Sequence, residues 1–354
     1  MLIFLTIANV LLTILIRIHK VESFAPNVVL VKRSSALLSK QPKIVEVKRN
    51  IGNGRFKAEI ILPEDRNKPV KGVVFFMHGF SQYPKAYRKT LVNVANDTEV
   101  GIVAVQTGFL SPQVIWDVIK GLGKQSPPYF LQKALLEDTT QCIKMVKDSN
   151  KIFADVGIPN GRPTGLIGHS MGGGLAFNLS AQSDIQYVFA MAPVAGVEQF
   201  KPTTAINKKA PNHSMLLAGS WDLIAGTSKV DKLSKLCNQK KKNSSVYVTI
   251  NRGLHTGFED TIVLFNLKLS NLVELVITLF KEINISNFFF ITLSEKIIRF
   301  LRVETGQIEI TNTLMSYFLK NMVKNENISI EEANKALKDD PNIEERWFQK
   351  VDIS

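Results

Sequence analysis

A G-x-S-x-G pattern at positions 168–172 carries the clearest chemical signal in the sequence. It follows the apolar pair Leu166-Ile167 and precedes a helical stretch opened by Gly173 and Gly174. A turn this sharp between a strand and a helix needs glycines around the serine, because a Cβ there would clash with the flanking backbone. Such a turn presents the hydroxyl of Ser170 at the carboxyl end of a sheet, with a helix N-terminus beneath it. We therefore predict that Ser170 is a nucleophile.

A serine hydroxyl is a weak nucleophile and needs a general base. His255 is the last histidine of the chain and lies in a loop directly after the last predicted strand. His213 precedes a strand, so it should lie at the opposite end of the sheet. His169 neighbours the nucleophile and is expected to be structural. The sequence therefore predicts His255 as the base.

An acidic residue should orient that histidine and stabilise its charged form. Asp222 comes after the predicted strand Ser214–Ala218 and a turn of small residues. Asp231 and Asp260 are competing candidates. We predict that Asp222 accepts a hydrogen bond from one ring nitrogen of His255.

A fourth element is a pair of backbone donors for the oxyanion of a tetrahedral intermediate. The stretch 78–80 reads H-G-F and follows the apolar run Gly72–Met77. The N–H groups of Phe80 and Met171 are predicted to form this oxyanion hole, where each donor lowers the barrier by about 3 to 4 kcal/mol. His78 is then a structural residue, and the chemistry requires neither a metal nor another cofactor.

The elements that position these residues are strands that alternate with helices along the chain. This alternation predicts a mostly parallel sheet with helices on both faces. Two alternating stretches at the start predict half-exposed antiparallel strands. The predicted strands are Ile44–Val47, Phe56–Ile60, Gly72–Met77, Val100–Val105, Thr164–Ile167, Tyr187–Met191, Ser214–Ala218 and Ser245–Ile250. The predicted helices are Tyr87–Asn96, Glu137–Lys147, Gly173–Ala181, Asn271–Phe280, Ile285–Leu301, Thr311–Met322 and one capped by Ser329 with Glu332 three residues on.

The composition sets the class of protein. The chain has 354 residues, of which 45% are hydrophobic and 21% charged, with a mean hydropathy of +0.05. These values exclude a disordered chain, a coiled coil and a polytopic membrane protein, and two cysteines exclude a disulfide-rich scaffold. We expect a core domain at 41–270 and a C-terminal helical extension at 271–354.

The formal charge of +13 favours anionic partners. No zinc-finger spacing or RNA-binding signature accompanies it, so we predict a solvated basic surface and no nucleic-acid partner. Association with a membrane surface stays open.

The N-terminus looks like a targeting segment. Residues Leu2–Ile16 form an uncharged apolar run of 15 residues, shorter than the roughly 20 that a membrane span needs. We predict a signal peptide at 1–23, with an uncleaved anchor as the alternative. Residues 24–40 begin with Phe-Ala-Pro and are basic and rich in serine, which is typical of a transit peptide. This predicts entry into the secretory route. The two segments together resemble the bipartite presequence of algae with secondary plastids, and this resemblance implies import into such a plastid. A secreted or endomembrane location is the alternative.

These motifs resemble the α/β-hydrolase superfamily, and within it the chlorophyllase and dienelactone-hydrolase-like serine esterases. The resemblance rests on 73–80, on 168–173 and on the Pro-Val-Ala-Gly stretch 193–196. It implies an α/β-hydrolase fold with metal-free ester cleavage, and in chlorophyllases the ester is the phytyl ester of chlorophyll. Two positions depart from chlorophyllases, which usually carry Arg where this chain has Met171 and Asp where it has Ala192. Asp222 must then serve as the acid, which is the general hydrolase arrangement.

The apolar segment Phe109–Leu135 is predicted to overhang the site, with Phe109, Trp116 and Phe130 lining a pocket for a lipophilic ester. Packing of this segment on its own core is the alternative. The sequence thus predicts a serine carboxylic-ester hydrolase. A lipase, an acyltransferase, a thioesterase or a non-catalytic binding protein of the same fold stay open as alternatives.

Overall fold

The computed structural model describes residues 42–48, 55–65, 69–80, 82–107, 127–194, 197–222, 224–260 and 304–343. All of them belong to one unit of the chain, which begins at Pro42. Several predictions fall outside the described residues: the signal peptide at 1–23, the transit-like segment at 24–40, the lining residues Phe109 and Trp116, and the helices Asn271–Phe280 and Ile285–Leu301.

The core is one eight-stranded sheet. Its strands are β1 Lys43–Lys48, β2 Arg55–Ile61, β3 Gly72–Met77, β4 Val100–Gln106, β5 Thr164–His169, β6 Tyr187–Met191, β7 His213–Gly219 and β8 Ser245–Ile250. They lie in the order β1-β2-β4-β3-β5-β6-β7-β8. The first two strands pair antiparallel, as does β2 with β4, and every other pairing is parallel. The central strands are continuous apolar runs because helices cover both of their faces, whereas β1 alternates between buried and exposed residues.

Two groups of helices cover the sheet. The helices are α1 Arg88–Thr98, α2 Pro127–Lys147, α3 Lys151–Ala154, α4 Met171–Gln182, α5 Pro202–Lys208, α6 Thr227–Lys240, α7 Glu304–Lys324 and α8 Ile330–Asp339. Helices α1 and α7 contact each other, and α2, α4, α5 and α6 form a second contiguous set. The predicted fold class, a mostly parallel sheet with helices on both faces, is confirmed. No helix among the described residues is long and apolar enough to cross a membrane.

Two helices begin well before their predicted starts, α7 at Glu304 instead of Thr311 and α2 by a larger margin. Helix α2 begins at Pro127, ten residues before the predicted start at Glu137. Two prolines are compatible with the first turn of a helix, where backbone N–H groups have no partner in any case. Residues 127–135 of the segment predicted to overhang the site therefore form the start of a helix, and Leu135 itself is fully buried in the core.

The C-terminal helices pack onto the sheet. Helix α7 lies against β5 and β6, and the ring of its Phe318 packs against that of Phe189 with a centroid distance of 5.5 Å. Helix α8 begins as the sequence predicts, since the Oγ of Ser329 accepts a hydrogen bond from the N–H of Glu332 at 3.1 Å.

Candidate active site

The turn between β5 and α4 has the sharp geometry that the G-x-S-x-G pattern requires. Ser170 has φ 54° and ψ −120°, a strained conformation for a residue with a side chain. A Cβ on Gly168 would overlap the backbone of Gly172, and one on Gly172 would overlap the carbonyl oxygens of Met77 and His78. Glycine is therefore required on both sides of the serine.

Two hydrogen bonds connect the three side chains that the sequence singled out. The Nε2 of His255 lies 2.8 Å from the Oγ of Ser170, and its Nδ1 lies 2.8 Å from the Oδ2 of Asp222. The order of the strands explains why these three side chains lie close together, because β5, β6, β7 and β8 are parallel neighbours whose carboxyl ends lie at one edge of the sheet. The N–H of Trp221 also donates to the carbonyl of Gly253 at 2.9 Å, which ties the aspartate loop to the histidine loop.

Asp222 is held as a carboxylate. Its second oxygen, Oδ1, accepts hydrogen bonds from the N–H groups of Ile224 and Ala225, both at 2.8 Å. Burial alone would raise the pKa of Asp222, but the hydrogen bond and charge of His255 and the two N–H donors together hold that pKa below its usual value. A carboxylate at this position fixes the histidine with its Nδ1 protonated and its Nε2 free to accept the serine proton.

The competing residues lie in other environments. Asp231 is on helix α6, paired with Lys235 at 2.9 Å. Asp260 accepts hydrogen bonds from the N–H and the hydroxyl of Thr90. His213 begins β7 and stacks on Tyr187, at the strand end opposite the serine.

The loop 78–80 lies directly beside the serine turn. A Cβ on Gly79 would be 3.3 Å from the Cβ of Ser170. His78 holds this loop: its Nδ1 donates to the carbonyl of Gly79 at 2.8 Å, and its Nε2 accepts the N–H of Thr107 at 3.3 Å. Burial lowers the pKa of His78 to about 4, so the ring is neutral near neutral pH.

The two predicted oxyanion donors lie on different elements. Met171 is the first residue of α4, so its N–H is one of the four that a helix does not use internally. Phe80 follows Gly79 and is 43% exposed. The role of both N–H groups stays a prediction.

Gln307 on helix α7 is a contact that the sequence analysis missed. Its Oε1 accepts the N–H of Leu254 and its Nε2 donates to the carbonyl of the same residue, both at 2.9 Å. Leu254 directly precedes His255, so this buried amide fixes the backbone from which the histidine projects. A single glutamine more than fifty residues away carries no local signal that would have revealed the contact.

Large exposed hydrophobic side chains adjoin the predicted machinery. Phe80 lies in the loop beside the serine, while Trp221 and Ile224 flank Asp222 and are 41% and 57% exposed. Phe130, a predicted lining residue, lies half-buried in the first turn of α2, edge-on to Tyr129. Ala192 follows β6 and is fully buried, and its N–H donates to Leu217 at 2.7 Å.

No group of three His, Cys, Asp or Glu side chains within the described ranges is arranged to hold a metal ion. A serine, a histidine and an aspartate after β5, β8 and β7 of this sheet define the α/β-hydrolase fold.

No protein-family model matches the sequence, and no curated protein matches it. Solved structures do match the fold. One is from a study of two fungal esterases from Rhizomucor miehei, with 14% identity and a TM-score of 0.49 over 63% of this chain and 77% of that one. A serine hydrolase without a lid from Xanthomonas campestris has 15% identity and a TM-score of 0.43 over 63% and 89%. An esterase from Pyrobaculum calidifontis has 17% identity and a TM-score of 0.44 over 61% and 78%. At these identities and TM-scores, the similarity says nothing about the reaction of this chain.

Proposed function

We propose that this chain is a serine carboxylic-ester hydrolase that uses Ser170, His255 and Asp222. The observation that carries the proposal is the unbroken line of hydrogen bonds from the Oδ2 of Asp222 through both nitrogens of His255 to the Oγ of Ser170. A serine on a strained turn, 2.8 Å from an oriented imidazole, has the geometry of an activated nucleophile.

The reaction follows from these positions. His255 takes the proton of Ser170 as Oγ attacks the ester carbonyl, and Asp222 stabilises the imidazolium that forms. The N–H groups of Met171 and Phe80 receive the oxyanion, and the positive end of helix α4 adds to their effect. The imidazolium then gives its proton to the departing alcohol. Water, activated by the same histidine, cleaves the acyl-enzyme and releases the acid.

We propose that the ester is lipophilic. Phe80, Trp221 and Ile224 support this, because they expose large apolar surfaces beside the predicted serine and aspartate. Each substrate methylene buried against such side chains contributes about 0.8 kcal/mol, or roughly a fourfold increase in kcat/KM per carbon. The phytyl ester of chlorophyll is one candidate, although Met171 and Ala192 replace residues usual in chlorophyllases.

A panel of 4-nitrophenyl esters with acyl chains from two to sixteen carbons, together with chlorophyll, tests both proposals. We expect kcat/KM to rise with chain length over the first several carbons. Activity should be absent in Ser170→Ala and unchanged in the matched control Ser228→Ala, an exposed serine of helix α6. A folded wild-type chain that cleaves none of these esters would overturn the proposal. A flat chain-length profile would overturn the lipophilic preference alone.

Product analysis separates hydrolysis from acyl transfer. With an alcohol added to the reaction, a hydrolase yields mainly the free acid, whereas an acyltransferase yields mainly the new ester. A dominant thioester activity in the same assay would point to a thioesterase.

We also propose that residues 1–23 direct the chain into the secretory route and that residues 24–40 direct it onward to a secondary plastid. The apolar run and the basic, serine-rich stretch after it support this reading. In an alga with a secondary plastid, a fluorescent protein fused behind residues 1–40 should enter that plastid, and one fused behind 1–23 should stay in the endomembrane system. Cytosolic fluorescence from both fusions would contradict the proposal.

A further inference from the structure

A buried chain of hydrogen bonds runs behind the serine and is not used by the reaction described above. It begins at the N–H of Gly79, which donates to the hydroxyl of Tyr87 at 3.4 Å. That hydroxyl lies 2.7 Å from the Nδ1 of His169, and the Nε2 of His169 lies 2.8 Å from the backbone carbonyl of His255. The chain therefore joins the loop that carries Phe80 to the residue that carries the imidazole.

The partners determine the direction of every bond. The carbonyl of His255 can only accept, so Nε2 of His169 must carry a hydrogen. Burial, and after it the charge of His255, lowers the pKa of His169 to about 3, so the ring is neutral and its Nδ1 accepts. Tyr87 must then donate its hydroxyl hydrogen to Nδ1, and its oxygen is left to accept from Gly79.

Aromatic rings surround this chain and bury it. Tyr87 is fully buried and His169 is 1% exposed, and the ring of Tyr87 packs against Phe76 with centroids 4.8 Å apart. The His169 ring lies 5.0 Å from that of His255 and 5.6 Å from that of Phe258. Hydrogen bonds in such a low-dielectric interior are stronger than in water, and a missing partner there is costly.

Neutrality of His169 matters for the reaction. His255 becomes positively charged when it takes the serine proton, and a second cation 5.0 Å away would oppose that step. Glu259 also faces His169, at 3.9 Å between Oε1 and Nδ1. Burial raises the pKa of Glu259 to about 8, so its carboxyl is protonated at neutral pH and places no charge beside the ring.

We propose that Tyr87 and His169 are positioning residues that hold the oxyanion loop and the catalytic histidine at a fixed mutual distance. The inference rests on the proposed function. Neither side chain touches the reacting atoms: Tyr87 acts through Gly79 and His169 acts through the backbone of His255. Loss of the Tyr87 hydroxyl frees the N–H of Gly79 and leaves Nδ1 of His169 without a donor, so the ring can change tautomer and release the carbonyl of His255.

The variant Tyr87→Phe removes the hydroxyl and keeps the ring. Its matched control is Tyr317→Phe, which also removes a hydroxyl that accepts a backbone N–H, from Ser329 at 2.9 Å. We expect Tyr87→Phe to lower kcat by roughly fivefold to tenfold, the size of one hydrogen bond, with KM within twofold of wild type. Tyr317→Phe should leave kcat unchanged, although we expect it to lose about as much thermal stability as Tyr87→Phe.

A second variant and a second readout do not depend on the first. The side-chain amide of Gln can replace the Nε2–H donor of His169, whereas Leu cannot, so His169→Gln should retain more of kcat than His169→Leu. Nitrogen-15 NMR of the wild-type chain should show His169 as the neutral tautomer with Nε2 protonated from about pH 5 to about pH 8. The same signal should change in Tyr87→Phe.

Two results would overturn the inference: a kcat of Tyr87→Phe within twofold of that of Tyr317→Phe, or an Nδ1-protonated tautomer of His169 in the wild-type chain. An active wild type with an unaffected Tyr87→Phe overturns this inference alone. A wild type that hydrolyses no ester overturns the proposed function, and this inference with it.

Discussion

Replacing Asp222 by asparagine tests how the carboxylate controls the proton of His255. Oδ1 accepts two backbone N–H groups and Oδ2 accepts the Nδ1–H of the histidine. An asparagine amide has one accepting and one donating end. Turning the NH₂ toward Ile224 and Ala225 would set donors against donors, so the amide oxygen must stay there and the NH₂ must face His255.

That orientation forces the imidazole into the wrong tautomer. With a donor opposite Nδ1, this nitrogen must accept, and the hydrogen moves to Nε2, which faces Ser170 at 2.8 Å. The ring can then no longer accept the serine proton. We expect Asp222→Asn to lower kcat by about 10⁴-fold, equivalent to about 5 kcal/mol of barrier, while the fold survives.

The assay is steady-state cleavage of 4-nitrophenyl butyrate, with a thermal melt of each variant. Asp231→Asn is the matched control, because it makes the same chemical change at a residue of helix α6 that forms an ion pair with Lys235. A kcat of Asp222→Asn above one tenth of wild type would refute the tautomer argument, as would a large loss of activity in Asp231→Asn instead.

Three further predictions concern the residues around the site. Gly172→Ala should destabilise the chain by about 1–3 kcal/mol and abolish activity, because the added Cβ would overlap two carbonyl oxygens of the neighbouring loop. Denaturant unfolding measures the loss of stability, and an unfolding midpoint equal to that of wild type would contradict the prediction. Burial raises the pKa of Glu259 to about 8, so the folded chain holds a proton that the unfolded chain releases, and the free energy of unfolding falls as pH rises from about 4.5 to about 8. Unfolding measured at several pH values should show this slope in wild type and a shallower slope in Glu259→Gln, and equal slopes would contradict the prediction. Gln307→Leu leaves the N–H and carbonyl of Leu254 unpaired, so kcat should fall roughly tenfold with less change in KM. The kcat of Gln307→Glu, which keeps the acceptor, should fall less. Full activity in Gln307→Leu would show that the amide does not hold the histidine loop.

Local sequence patterns predicted much of the sheet. Continuous apolar runs such as Gly72–Met77 and Tyr187–Met191 are strands with the same bounds in the structure, because burial on both faces leaves no polar position in them. The pairing of Ser170 with His255 and Asp222 also followed from order along the chain, since parallel strands bring their carboxyl ends to one edge.

Two other contacts between distant residues could not be predicted. Tyr87 and His169 are 82 residues apart, and Gln307 lies 53 residues from Leu254. His169 occupies a variable position of the G-x-S-x-G pattern, and Tyr87 and Gln307 belong to no motif. The partner of Gln307 is a backbone group that any residue supplies. The start of α2 was missed for another reason: residues 109–135 were interpreted as one apolar segment over the site, whereas the helix already begins at Pro127, because the first helical turn accepts proline.

The most direct test of the central claim is to map the covalent adduct of a fluorophosphonate probe. This reagent phosphonylates a serine whose hydroxyl is activated by a neighbouring base. We expect the intact mass of the wild-type chain to increase by one adduct, the modified peptide to place it on Ser170, and labelling to persist in Ser228→Ala. A folded wild-type chain that takes up no probe, or that carries it on another serine, would contradict the claim that Ser170 is the nucleophile.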